Sequence, residues 1–158
     1  MQQWIKRIFI CEKPVIASSQ DGIRLSDDGL HFSSWMSRYA QWPELWPWTE
    51  VCEFGISVHQ AIYPDPWFGD YMEAEWFFTV QHSEGPQRLF FDIEHFSIDK
   101  LPHLLFEHLP GFDKTVLQAG WKEYRAGLRN YQGAGQWLAW QKAGFNWEHG
   151  DRHSIANP

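Results

Sequence analysis

Glu73 and Glu75 stand two residues apart in the run MEAEWFFTV, so on an extended chain both carboxylates project from one face. Asp65 and Asp70 precede them in the run YPDPWFGDY. Four carboxylates so close in sequence have two chemical uses, holding a divalent cation or moving protons. Proton transfer needs two carboxyls pushed apart in pKa by unlike surroundings, and spacing alone supplies none. Histidine is the other candidate, with eight in the chain. His103 and His108 are five apart, which puts them on different faces of a helix and departs from the four-residue spacing of a helical zinc pair. His149 and His153 have that spacing but lie in a polar tail containing Gly150. Cys11 and Cys52 are too few for a thiolate zinc site or a disulfide framework.

No Gly-x-Ser-x-Gly, P-loop or Gly-x-Gly-x-x-Gly run follows a strand-like segment, and Gly133-Ala134-Gly135 reads as an interrupted helix. The expectation is therefore no catalytic residue, no metal and no cofactor. A metal-dependent enzyme built on Asp70, Glu73 and Glu75 ranks third among the functions considered.

Aromatic side chains surround the same acids. Trp67 and Phe68 lie between Asp65 and Asp70, and Trp46, Trp48 and Glu50 lie just ahead of the first long strand. Trp76 alternates with the apolar face of its own segment and belongs to the core, as does Trp121 on a helix stripe. The loop tryptophans follow no period, and tryptophan is enriched among residues that anchor protein interfaces. Asp65, Trp67, Phe68, Asp70, Glu73, Glu75, Trp46, Trp48 and Glu50 thus form the candidate partner-binding surface. Single-stranded nucleic acid uses aromatic platforms too, but beside basic residues. Between positions 27 and 113 the chain instead carries 15 carboxylates against Arg38, Arg88 and Lys100. That block dominates the net charge of −7, repels phosphate backbones and anionic lipid, and attracts a basic protein.

The elements that would position these residues follow from periodicity. Segments 51–62 and 73–82 alternate with period two and read as half-buried strands joined by a loop at 63–72. Residues 4–11 (WIKRIFIC) read as a first strand, residues 15–17 as its extension, and 22–26 and 30–35 as a hairpin around Asp27-Asp28-Gly29. Residues 36–49 hold two prolines and no period, which predicts an irregular loop. A strand at 88–93 follows the Gly85-Pro86 turn. Ile98, Leu101, Leu105 and Leu109 then make a helical stripe capped by Ser97 or Asp99 and stopped at Pro110-Gly111. Asp113 caps a second helix with the stripe Leu117, Trp121, Tyr124, Leu128 and Tyr131, and 136–143 reads as a short final helix.

Strands first and helices after predict an α+β domain with an antiparallel meander of six or seven strands. Residues 1–113 form the β part with its closing helix, 114–147 a helical extension packed on it and 148–158 a polar tail, one structural domain in all. The runs GIRLSDDGLHF, WPWTEVCEF and FSIDKLPHLLFEHLPGFD, over about residues 15–113, resemble small bacterial pleckstrin-homology-like proteins of the immunity type. That resemblance implies a partly closed barrel capped by a helix, and a protein that neutralises a cognate toxin by occluding it. The Lys/Arg cluster that lipid-binding members place around the first hairpin is missing, since Arg24 stands there with Asp27 and Asp28. Phosphoinositide binding does not carry over.

The expected function is a protein-binding module, a cytoplasmic immunity protein with a basic toxin as partner. The alternative is an adaptor of the same fold in a secretion or envelope assembly. The opening run MQQWIKRIFICEKP is too short and too interrupted by charge for a signal peptide, and no apolar run reaches membrane length.

Overall fold

The structure, a computed structural model, describes residues 22–61, 72–127 and 134–147. The expected strand at 4–11, its extension at 15–17, most of the 63–72 loop and the tail from 148 lie outside them. The described chain is α+β, with two antiparallel sheets of three and four strands. Among the described residues the strands form two sheets rather than one closed barrel, which corrects the expected single meander.

β1 (Gly22–Ser26) and β2 (Gly29–Ser33) pair across Asp27-Asp28, as the Asp-Asp-Gly run predicts. Gly29 has a second reason to be glycine. With φ at +150°, it lies under the next strand, and an added Cβ there would stand 2.1 Å from the Trp46 carbonyl oxygen. That strand is β3 (Leu45–Pro47), which completes the order β1-β2-β3. The expected irregular loop at 36–49 is therefore ordered. It holds β3, the helix α1 (Trp35–Tyr39) and a 3-10 turn at Trp48–Glu50. Proline and tryptophan hid the elements, because each is too short to show a period. α1 starts on a capping box, in which Ser34 and Ser37 each accept from the other's backbone N–H.

The larger sheet is built from β4 (Val51–Gln60), β5 (Met72–His82) and β6 (Gly85–Asp92), each antiparallel to the next. Its inner face carries Phe54, Ile56, Val58, Trp76, Phe78, Val80, Leu89 and Phe91, all buried. Phe54 stacks on Phe78 at 4.5 Å, and the Trp76 indole N–H donates to the Ile93 carbonyl at 2.9 Å. A fully buried side chain of this size stabilises the fold by roughly 1.5–3 kcal/mol. Sheet one joins this core through Leu30, Phe32 and Trp46.

After β6, α2 (His103–His108) begins behind Pro102 without a side-chain cap, later than the Ser97 or Asp99 start expected from sequence. α3 (Lys114–Gly127) does begin on Asp113, whose carboxylate accepts from the Thr115 backbone at 2.9 Å. Leu117 is buried, and Gly120 lets the helix approach the sheet, since a Cβ there would lie 2.6 Å from Ile56 and 2.8 Å from Trp137. The predicted helix at 136–143 is a strand instead. β7 (Gly135–Gln141) pairs with β4 and completes the order β6-β5-β4-β7. Its alternation of Trp137, Ala139 and Gln136, Leu138 fits a strand as well as a helix, and the open side of β4 decided it. Flanked on both sides, β4 is buried from Val51 to Val58 on both faces, rather than half-buried.

Candidate functional site

The strand registers decide which candidate residues meet. Hairpin β5–β6 turns at Ser83-Glu84, and its register places Glu75 opposite Asp92. The β4–β5 register places His59 opposite Glu73 and Ser57 opposite Glu75. Directly opposed residues share a face, so His59, Glu73, Glu75 and Asp92 gather at one end of the outer face of the four-stranded sheet. The His59 Nε2 stands 3.9 Å from the Glu73 carboxylate. Glu75 is half-buried, and burial pushes its carboxyl above the usual range. His59 works against that rise, while Glu73 and Asp92 add to it. The hydroxyl of Tyr124 on α3 is raised as well, first by burial, with Arg125 lowering it and Glu94, Asp92 and Glu73 adding to the rise.

The remaining candidates divide. Asp65, Trp67, Phe68 and Asp70 lie outside the described residues. Trp46 is 1 % exposed, so as a contact residue it is corrected to core. Its ring meets His82 edge-on at 5.7 Å, and among the described residues its buried N–H has no hydrogen-bond acceptor. Trp48 is occupied within the fold. Its ring stacks on His108 at 4.6 Å and its N–H donates to the Ser26 carbonyl. Glu50 sits in the 3-10 turn ahead of β4. Six residues of β4 separate Glu53 from His59, on the order of 20 Å, so Glu50 and Glu53 belong to the far end from Glu73 and do not join the acidic group there.

Glu53 is the clearest departure from the sequence reading. It is 4 % exposed, and one carboxylate oxygen accepts from the Thr79 hydroxyl at 2.7 Å and from the Arg88 guanidinium at 3.0 Å. The other accepts from the Gln141 side-chain amide at 3.2 Å. Arg88 also donates to Gln136, and its guanidinium lies 4.3 Å from the centre of the Phe77 ring. Burial lowers the Arg88 pKa, and the neighbouring Glu53 carboxylate opposes that fall. A buried acid between two apolar neighbours in VCEF gives no sign of its partner, because Arg88 is 35 residues away.

Sequence reasoning also missed the aromatic surface of α1, where Trp35 is 65 % and Tyr39 86 % exposed beside Met36. The signal was present: a Ser34–Ser37 capping box ahead of WMSRY. Asp92 was legible too, once a two-residue hairpin loop at Ser83-Glu84 fixes the register. Among the described residues no three His, Cys, Asp or Glu side chains are placed to hold a metal ion, and no helix is long and apolar enough to cross a membrane. Cys52 is a buried free thiol whose pKa is raised, chiefly by burial.

The chain matches no protein-family model, no curated protein and no solved structure.

Proposed function

We propose that this chain is a protein-binding module, a cytoplasmic immunity protein that receives a basic partner on the His59–Glu73–Glu75–Asp92 end of its larger sheet. The observation that carries the reading is the position of Glu75. A half-buried carboxyl is held on a rigid strand where two of the neighbours that act on it are themselves carboxylates. Gathering like charge on a sheet costs the folded state, and the carboxyl of Glu75 stays raised although His59 opposes the rise. A lysine or arginine from a partner removes the cost and gains from each acid at once. In sequence, Asp65, Trp67, Phe68 and Asp70 come shortly before Met72, in the same stretch of chain as Glu73 and Glu75.

The experiment is capture from native cells with the wild-type chain and with Glu73→Lys/Glu75→Lys. Immunity predicts a single small basic protein, held by the wild type and lost by the variant. Several assembly components in place of one basic protein would favour the adaptor reading. One basic protein held equally by both chains would move the site away from this end of the sheet.

A further inference from the structure

The carboxylates at the far end of β4 and β5 share their surroundings with an imidazole. His59, one residue from the end of β4, stands opposite Glu73. Its Nε2 lies 3.9 Å from the Glu73 carboxylate, and the two side chains are 38 % and 43 % exposed, within reach of a partner. Glu75, the next residue on that face of β5, feels the same imidazole. β6 adds Asp92, one oxygen of which accepts from the Glu94 backbone N–H at 2.7 Å. α3 adds Tyr124, whose hydroxyl feels Arg125, Glu94, Asp92 and Glu73. On the β7 side, Gly135 and Gln136 pair with Val58 and Ser57 and carry no charge. Of the side-chain types gathered here, imidazole is the one whose ordinary titration falls between about pH 5 and pH 8.

Resting on the reading of this end as the site of a basic partner, we propose that His59 makes the site proton-linked. A protonated imidazole competes with the partner's lysine or arginine for Glu73 and Glu75, so binding expels a proton to solvent and weakens in acid. The link is reciprocal. A proton on His59 and a cation from the partner act on the same carboxylates, and whatever the first costs the second, the second costs the first. Glu75 works in the same direction. A cation beside it favours the ionised form, so the proton that its raised carboxyl holds more tightly is also released. The charge on His59 thus sets how much negative charge this end of the sheet offers.

The probe is a short arginine peptide with blocked ends, whose charge is constant over this range. It is titrated into the isotope-labelled full chain, wild type and His59→Gln, at about pH 8 and about pH 5.5 in about 0.05 M salt. The amide resonances of Glu73 and Glu75 read the affinity at this end of the sheet. Wild-type affinity is expected to fall about fivefold or more between the two pH values, the factor that two unit charges about 4 Å apart in bulk water are worth. In His59→Gln the fall is expected to be smaller. The wild type alone gives a second readout: over the same pH range the His59 ring resonances should lie nearer the neutral form with saturating peptide than without it. An equal fall in both chains, or ring resonances that the peptide leaves unmoved, overturns the proton link alone. Glu73 and Glu75 amides that respond to the peptide at neither pH sink the carboxylate end as a cation site, and the link with it.

Discussion

At one end of the outer face of the larger sheet, Glu53 and Arg88 meet at 3.0 Å with side chains 5 % and 9 % exposed. Four residues along β5 from Thr79, on the order of 13 Å away, Glu75 stands opposite Asp92 with its carboxyl pushed up by burial and by acidic neighbours. Both ends remove a carboxylate from water on the same strands. The first answers it with a guanidinium, a hydroxyl and an amide. The second places further carboxylates beside it. A buried acid with its partners built in serves the fold, whereas Glu75 is raised by burial and further by Glu73 and Asp92, with His59 opposing the rise, and an incoming cation would oppose it too. The difference is the ground on which we read the first end as structural and propose the second for recognition.

Removing the carboxylate at the first end has the largest expected effect. Glu53→Ala leaves Arg88 buried without its counter-charge and is expected to cost about 3–5 kcal/mol. Denaturant unfolding reads this, and a loss below about 1 kcal/mol would break the contrast between the two ends. Trp76→Phe comes next. It deletes the N–H bonded to Ile93 and part of a fully buried ring, at an expected cost of about 1–3 kcal/mol. Trp46→Phe trims a buried indole in the same way but breaks no hydrogen bond among the described residues, so its cost in the same assay is expected to be smaller.

At the second end the sign reverses. Glu75→Gln relieves repulsion and is expected to leave stability at neutral pH unchanged or raised by about 0.5 kcal/mol, while partner affinity falls. The pH dependence follows from the direction of the shift. The folded-state pKa of Glu75 lies above its unfolded value, so the folded chain binds the proton more tightly and Glu75 penalises folding above the folded pKa. As pH falls through that pKa the penalty disappears. Thermal unfolding of wild type and Glu75→Gln should therefore converge below the carboxyl range and separate above it. Wild type gaining stability over Glu75→Gln as pH rises would reverse the assignment. The smallest effect is expected at α1, where Trp35→Ala and Tyr39→Ala change exposed side chains and should stay within about 0.5 kcal/mol of wild type.

Much of this contrast was legible in the sequence, and its missing half has a physical cause. Period-two alternation located β4, β5 and β6, and Asp-Asp-Gly located the first hairpin, because local sterics and face burial fix such patterns within a few residues. Glu73 and Glu75 were found by the same spacing. The joining of Asp92 to them depended on a hairpin register, which is still local. The Glu53–Arg88 pair was not legible, since Glu53 sits on the alternating polar face as a solvated acid does. It is buried only when β5 and β7 flank β4 and Arg88 reaches over from β6. For the same reason 136–143 looked helical: the pattern fits both periods, and the vacancy beside β4 is a tertiary fact. Trp46 and Trp48 looked like surface contacts because short elements between prolines carry no period to place them on the core side.

The account rests most directly on the carboxylate end being where a basic partner docks. With the captured basic protein in hand, titration calorimetry of wild type and Glu73→Gln/Glu75→Gln at about 0.05 M and about 0.5 M salt tests it. The two concentrations span the range over which exposed charges pass from weakly to strongly screened. The expected result is a wild-type affinity that falls about tenfold or more with salt, and a variant that binds weakly at low salt with a shallow dependence. Equal affinity and equal salt dependence for the two chains would contradict the account.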